Sequence, residues 1–120
     1  MMARILIIED NEHNLYLETF ILQKNGHEVI QARNGEAGIA LAARMTPDLI
    51  LLDIQLPGMD GYTVAQQLRK NPTIANIPII AVTSYAMTGD REHILEAGCT
   101  SYIEKPINPD TFPMEITQFL

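Results

Sequence analysis

The sequence predicts an α/β domain: one open sheet of five parallel strands with helices on both faces, a pattern that the order 2-1-3-4-5 satisfies. Three observations predict it. Short aliphatic runs alternate with longer segments of helical pattern five times along the chain, as strand–helix–strand crossovers onto a parallel sheet require. Leu49-Ile50-Leu51-Leu52 is an unbroken aliphatic run too short for a helix and suits a strand buried on both faces. The runs of the first, third and fourth strands are the longest, which makes them central. The second and fifth are shorter and more polar, as sheet edges should be.

Taken in order, Arg4-Ile5-Leu6-Ile7-Ile8 is the first strand and ends in Glu9-Asp10. Asn11 is a helix N-cap, and the helix runs to about Lys24 with apolar Leu15, Leu17, Phe20, Ile21 and Leu22. Asn25-Gly26 stops it, Gly26 taking the left-handed position. Residues 28–32 form the second strand. Asn34-Gly35 then leads into an alanine-rich helix over roughly Glu36 to Met45. After Thr46-Pro47-Asp48 the central strand ends abruptly in Asp53, and the Pro57-Gly58 and Asp60-Gly61 pairs break the chain. The third helix follows Asp60-Gly61 and runs to about Lys70, with Val64, Ala65 and Leu68 at helical spacing. Asn71-Pro72 ends it. Residues 77–82 form the fourth strand, followed by Thr83-Ser84. The fourth helix covers about Asp90 to Ala97 and is closed by Gly98. Residues 100–103 form a short fifth strand leading to Glu104-Lys105-Pro106. The last helix lies within 109–120, with Asn108-Pro109 as cap and first residue. Pro113 conflicts with a helix that starts so early, so a 3₁₀ turn or a late start is expected.

Composition narrows the function classes. One hundred and twenty residues, 47% of them hydrophobic, make one domain with a single real core, spanning 1–120. No apolar run approaches the ~20 residues that cross a bilayer. The chain opens on Met1-Met2-Ala3-Arg4 and a strand, so no secretory signal is expected. Cys99 is the single cysteine, which excludes an internal disulfide and a thiolate metal cluster. Both points favour the cytoplasm. A net charge of −7, with only eight basic residues scattered along the chain, argues against direct binding to nucleic acid or to an anionic membrane. His13, His27 and His93 show no metal-ligand spacing and are expected at the surface. Cys99 is expected to be a small buried residue.

The functional reading comes from the strand ends. In an open parallel sheet the carboxyl ends share one edge, and ligands bind there. That edge receives Glu9 and Asp10 from the first strand, Asp53 from the third, Thr83 from the fourth and Lys105 from the fifth. Singly, each has an ordinary explanation: an acidic pair at a helix start, a turn aspartate, a turn threonine, a solvated lysine. Together they place three carboxylates where mutual repulsion calls for a cation. An all-oxygen donor set with room for water suits Mg²⁺. A metal held by two acids beside a third, uncommitted carboxylate is an arrangement for phosphoryl transfer.

The residues Ile7 to Asn11, Leu51 to Gly61, Ile79 to Ser84 and Ala97 to Pro106 resemble, in type and spacing, a response-regulator receiver domain of two-component signalling over essentially the whole chain. The Glu-Asp-Asn opening with Asn14 is similar to stand-alone regulators of the cell-division type and to receivers of hybrid kinases. The resemblance implies a flavodoxin-like (βα)₅ fold and a phosphorylation-dependent switch, not a conventional enzyme. Asp53 would accept a phosphoryl group from a phosphohistidine on a histidine kinase or histidine phosphotransfer protein. Asp10, Asp53 and the backbone carbonyl of Gln55 would hold Mg²⁺, with Glu9 acting through water. Thr83 and Lys105 would bind phosphoryl oxygens, and Lys105-Pro106 would be a cis peptide aiming Lys105 inward. Gln55 and Tyr85 would flank the pocket. Thr83 and Tyr102 would relay the change to the surface of the fourth helix, fifth strand and fifth helix, which a downstream protein partner reads. The implied state is a monomer or weak dimer.

Two other classes fit the sequence less well. An Asp-nucleophile phosphatase of the haloacid-dehalogenase kind wants a second acid two residues beyond the nucleophile, where this chain has Gln55. A nucleotide- or flavin-binding module wants a phosphate loop after the first strand, where Glu9-Asp10-Asn11-Glu12 would repel phosphate. A receiver excised from a hybrid histidine kinase remains an alternative within the family.

Overall fold

The computed structural model describes residues 2–84 and 88–120. Five strands, β1 (Arg4–Ile8), β2 (Glu28–Ala32), β3 (Leu49–Asp53), β4 (Ile79–Thr83) and β5 (Ser101–Glu104), alternate with helices α1 (Glu12–Lys24), α2 (Gly35–Met45), α3 (Gly61–Lys70), α4 (Thr88–Glu96) and α5 (Phe112–Thr117). All neighbouring strands pair in parallel, in the expected order β2-β1-β3-β4-β5. Among the described residues no helix is long and apolar enough to cross a membrane.

Side-chain alternation along the strands divides the core into two layers. Leu6, Ile8, Ile50, Leu52, Ile79 and Ala81 pack with Ala42 of α2, Val64, Ala65 and Leu68 of α3 and Ile94 of α4. Ile5, Ile7, Leu49, Leu51, Ile80 and Val82 pack with Leu15, Ile21 and Leu22 of α1 and with Phe112 and Ile116 of α5. Every residue of β3 and β4 is buried. The aliphatic runs are unbroken because both faces of these strands are covered.

Helix starts follow local chemistry. Asn11, Asn34 and Asp60 each accept an N–H bond from the residue three positions on, at 2.8–2.9 Å, satisfying a donor the first turn leaves free. Gly26 has φ +89° after α1, as its stop signal requires.

Several expectations are corrected. Strand β4 starts at Ile79, because Pro78 has no N–H and the N–H of Ile77 closes a turn on Ile74. Strand β5 starts at Ser101. Thr100 instead uses its hydroxyl to accept the Ile79 N–H at 3.1 Å. Strand β2 is as long as the central strands, and only its exposure marks it as an edge. Helix α4 starts earlier than Asp90, at Thr88. Helix α5 takes the late start: Asn108 caps a turn through Asp110 N–H, and Pro113 falls in the first turn, where a missing N–H costs nothing. Phe20 is half-exposed and stacks on exposed Tyr16 on the outer face of α1. Glu18 lies inside instead.

Of the three histidines only His27 departs from the expected surface position. His27 is buried, and its Nδ1 accepts the Ala3 N–H at 3.1 Å. His93 is exposed but stacks flat on Tyr62, centroids 3.7 Å apart. Cys99 is buried as expected, and burial pushes its thiol up to about 11.

Candidate functional site

Strand register sets the site. Ile8 lies opposite Leu52, Asp53 opposite Val82, and Thr83 opposite Glu104. The residues that end or follow β1, β3, β4 and β5 therefore come to one rim. Asp53 and Glu9 follow the phase of Leu49/Leu51 and Ile5/Ile7, on the side covered by α1 and α5. One carboxylate oxygen each from Glu9, Asp10 and Asp53 lies within 4.8 Å of the others. Glu9 and Asp53 are buried, and Asp10 is exposed at the mouth.

Lys105 joins them. Its Nζ lies 3.1 Å from Asp53 Oδ1 and 3.5 Å from Glu9 Oε1. Its backbone N–H donates to the Thr83 carbonyl at 2.8 Å, tying β4 to the lysine, and the Lys105–Pro106 peptide is cis. Thr83 is buried at the end of β4. Gln55 adds two bonds: its N–H donates to Asp53 Oδ1 at 3.0 Å, and its side-chain oxygen accepts the Ser84 N–H at 3.2 Å. Tyr85 lies outside the described residues. Tyr102 sits half-buried on β5, away from the cup, beneath the Arg91 guanidinium of α4, 5.4 Å from the ring centroid.

The electrostatics show an unmet demand. Burial above all, then the hydrogen bond and charge of Asp53, push the Glu9 carboxyl up to about 7. Burial opposes the Lys105 charge, but Asp53 and Glu9 outweigh it and hold the ammonium above its usual range. One ammonium faces three carboxyl groups. Glu9 Oε1 is fully buried without a hydrogen-bond partner. An exclusively oxygen donor set with an orphaned buried oxygen fits a hard divalent cation that keeps some of its waters, as Mg²⁺ does.

Three features escaped the sequence reading. Gly61 is more than a turn residue, since a Cβ there would stand 2.4 Å from Ile54 Cα and 2.8 Å from the Asp53 carbonyl oxygen. Only glycine lets α3 start directly against the end of β3. Arg91 over Tyr102 has no local signature. Glu18 does have one: it falls between Leu15 and Leu22 at helical spacing, on the stripe that faces the core.

A rim of acids, a hydroxyl and an ammonium at the carboxyl edge of a 2-1-3-4-5 sheet defines a class, the phosphoryl-accepting signalling domains. The chain belongs to the response regulator receiver domain family, which matches residues 5–117. It is 42% identical over 120 residues to the polar-differentiation response regulator DivK of Brucella anthropi, covering all of this chain and 98% of that one. Its fold is similar to chemotaxis protein CheY4 of Vibrio cholerae, with TM-score 0.95, 26% identity and full coverage of both chains. It is also similar to the receiver domain of sensor histidine kinase PA1611 from Pseudomonas aeruginosa, a structure with magnesium coordinated in its active-site cleft. There the TM-score is 0.91 and the identity 32%, over 99% of this chain and 98% of that one. The domain is thus a phosphorylation-dependent switch of two-component signalling.

Proposed function

We propose that Asp53 is the phosphoryl acceptor of this switch, taking its phosphoryl group from the phosphohistidine of a histidine kinase or histidine phosphotransfer protein in the cytoplasm. The observation that carries this is the position of Asp53: a carboxylate at the end of the central strand, beside two further acids, with Lys105 Nζ at 3.1 Å.

The chemistry follows from the residues. A carboxylate oxygen of Asp53 attacks phosphorus as the phosphorus–nitrogen bond of the donor breaks, and that electron pair leaves on the imidazole. Backbone and ammonium bonds to Oδ1 fix the Asp53 carboxylate before attack, removing part of the orientational cost. Lys105 follows the new charge onto a phosphoryl oxygen, and the Thr83 hydroxyl donates to another. Glu9 through water, Asp10, Asp53 and the Gln55 carbonyl would hold Mg²⁺, which when bound neutralises phosphoryl oxygens. The same residues serve hydrolysis of the acyl phosphate, so the domain promotes its own phosphorylation and dephosphorylation without acting on a separate substrate.

Phosphorylation adds roughly −1 to −2 charge at Asp53. Thr83 is drawn toward it, its loop shifts, and the freed space admits the Tyr102 ring. That movement breaks the contact with Arg91, worth about 0.5–1 kcal/mol at an exposed site. The surface of α4, β5 and α5 is thereby repacked for a downstream protein. Phosphorylation biases the two packings only by its different affinity for them.

The test is incubation with acetyl phosphate and Mg²⁺, followed by intact-mass measurement. One added phosphoryl group is expected, and none on Asp53→Asn. Equal labelling of Asp53→Asn would move the acceptor elsewhere.

A further inference from the structure

Helix α4 is held to the sheet lightly. On the same face, α3 buries Gly61, Val64, Ala65 and Leu68. Among the described residues of α4 only Ile94 is buried, and Leu95 beside it is half-exposed. One buried side chain anchors a helix at a point and leaves it able to turn about that point. Elements with so few buried apolar contacts are the ones that move.

Two contacts on the surface of α4 supply the missing restraint. On one flank Arg91 lies over the Tyr102 ring of β5, 5.4 Å from its centroid, and 3.9 Å from a Glu104 carboxylate oxygen. His93 follows two positions later, about 200° around the helix, and faces the other flank. Its imidazole stacks on the Tyr62 ring of α3, with centroids 3.7 Å apart and planes 7° from parallel. Tyr62 is half-buried and packs against the core of that layer, whereas His93 is exposed. The tyrosine is therefore the fixed platform, and the histidine travels with α4.

Helix α4 starts at Thr88, shortly after Thr83, the residue that a phosphoryl group on Asp53 draws in. A pull on Thr83 thus reaches α4 first. Packed helices shift by about 1–2 Å in such transitions. A gap of about 1 Å already forfeits about half of the dispersion between two surfaces, so rings stacked this closely separate when α4 moves. We propose that the Tyr62–His93 stack is a latch of the resting packing, pinning α4 to α3 until Asp53 is phosphorylated and so setting how readily the switch turns on. The inference rests on the phosphoryl-switch reading of Asp53. Neither ring belongs to the acid cup. A contact made in one packing alone biases the equilibrium by its own free energy, which for an aromatic pair converts to about a two- to tenfold change.

The experiment titrates the full chain with beryllofluoride, a phosphoryl mimic, in excess Mg²⁺ by calorimetry. The parent is compared with Tyr62→Leu, His93→Ala and the double variant. Leucine keeps an apolar helix former against the core, and each change removes the same stack. Each single variant is expected to bind the mimic about two to ten times more tightly, because apparent affinity scales with the fraction of chain already in the competent packing. The double variant should gain no more than either single one. The melting temperature without mimic should fall in the same variants. A stack that only stabilised the fold would lower melting with and without the mimic and leave affinity unchanged. Unchanged or weaker affinity in either single variant, or effects that add in the double variant, would overturn the inference. A parent that binds the mimic while the variants match it overturns this inference alone. A parent that does not bind it overturns the switch reading as well.

Discussion

The two ends of the sheet carry similar side chains and use them in opposite ways. At the amino end, polar groups settle on the backbone. Asp48 accepts the Arg4 N–H at 2.8 Å, Arg4 reaches the Met45 carbonyl at 3.2 Å, and His27 accepts the Ala3 N–H. At the carboxyl end Glu9, Asp10 and Asp53 confront one another around a single ammonium. A cleft of about 280 Å³ opens at the amino end, lined by Met2, Ala3, Asp48, Phe119 and Leu120. Room alone therefore does not mark the functional end. An imbalance of charge that the fold itself leaves open does, because only a ligand can close it.

The sharpest way to break this contrast is Lys105→Met. It strips Glu9 and Asp53 of their only close cation among the described residues. Urea denaturation without divalent metal should show a loss on the order of 3 kcal/mol, the usual cost of removing one partner from a buried pair. A loss below 1 kcal/mol would mean that the cup tolerates its own repulsion. Added Mg²⁺ should then stabilise the parent, by about 2.7 kcal/mol at a hundredfold excess over its dissociation constant. A thermal melt checks this, and an unchanged midpoint would count against a divalent site.

Which parts of this contrast are readable in the sequence depends on how far apart the interacting residues are. Strands β1, β3 and β4 were legible because burial on both faces forces unbroken aliphatic runs. Asp53 was legible because an acid ending such a run must sit at the sheet rim. Lys105 and Thr83 were legible only through topology, which brings the strand ends together. The hidden features all depend on approach between distant segments. His27 looks like a surface histidine until Ala3 closes over it. Gly61 reads as a turn until β3 and α3 are seen in contact. Asn108-Pro109 has the chemistry of a cap, but the chain spends it on a turn because Phe112, not Pro109, begins the helix that fills the core. Glu18 was written in the sequence as a charge on an apolar stripe. Its burial appears only when α1 is packed against the sheet.

A second change tests the amino end. Asp48→Ala removes the acceptor for the Arg4 N–H and should cost about 1 kcal/mol, the net value of one such bond. Labelling by acetyl phosphate should not change, since Asp48 lies at the opposite edge from Asp53. If labelling fell with stability intact, the two ends would be coupled and the contrast too simple.

The smallest effect separates the ends by pH. Burial above all lowers the His27 pKa, because a protonated Nδ1 would face the Ala3 N–H instead of accepting from it. The unfolded imidazole titrates near ~6.5. Above that pH both states are neutral and the histidine contributes no slope. As pH falls through that value the unfolded chain takes up a proton that the folded chain refuses, so stability drops. The buried acids of the cup act with the opposite sign. Glu9 and Glu18, raised to about 7 and about 8, hold protons in the folded state that the unfolded state has lost above about 4.5, so they erode stability as pH rises. Urea melts of the metal-free protein across pH 5 to 8 should thus flatten on the acid side in His27→Gln and on the alkaline side in Glu18→Met. Flattening of both arms by one variant would mean that the two ends share a single titration.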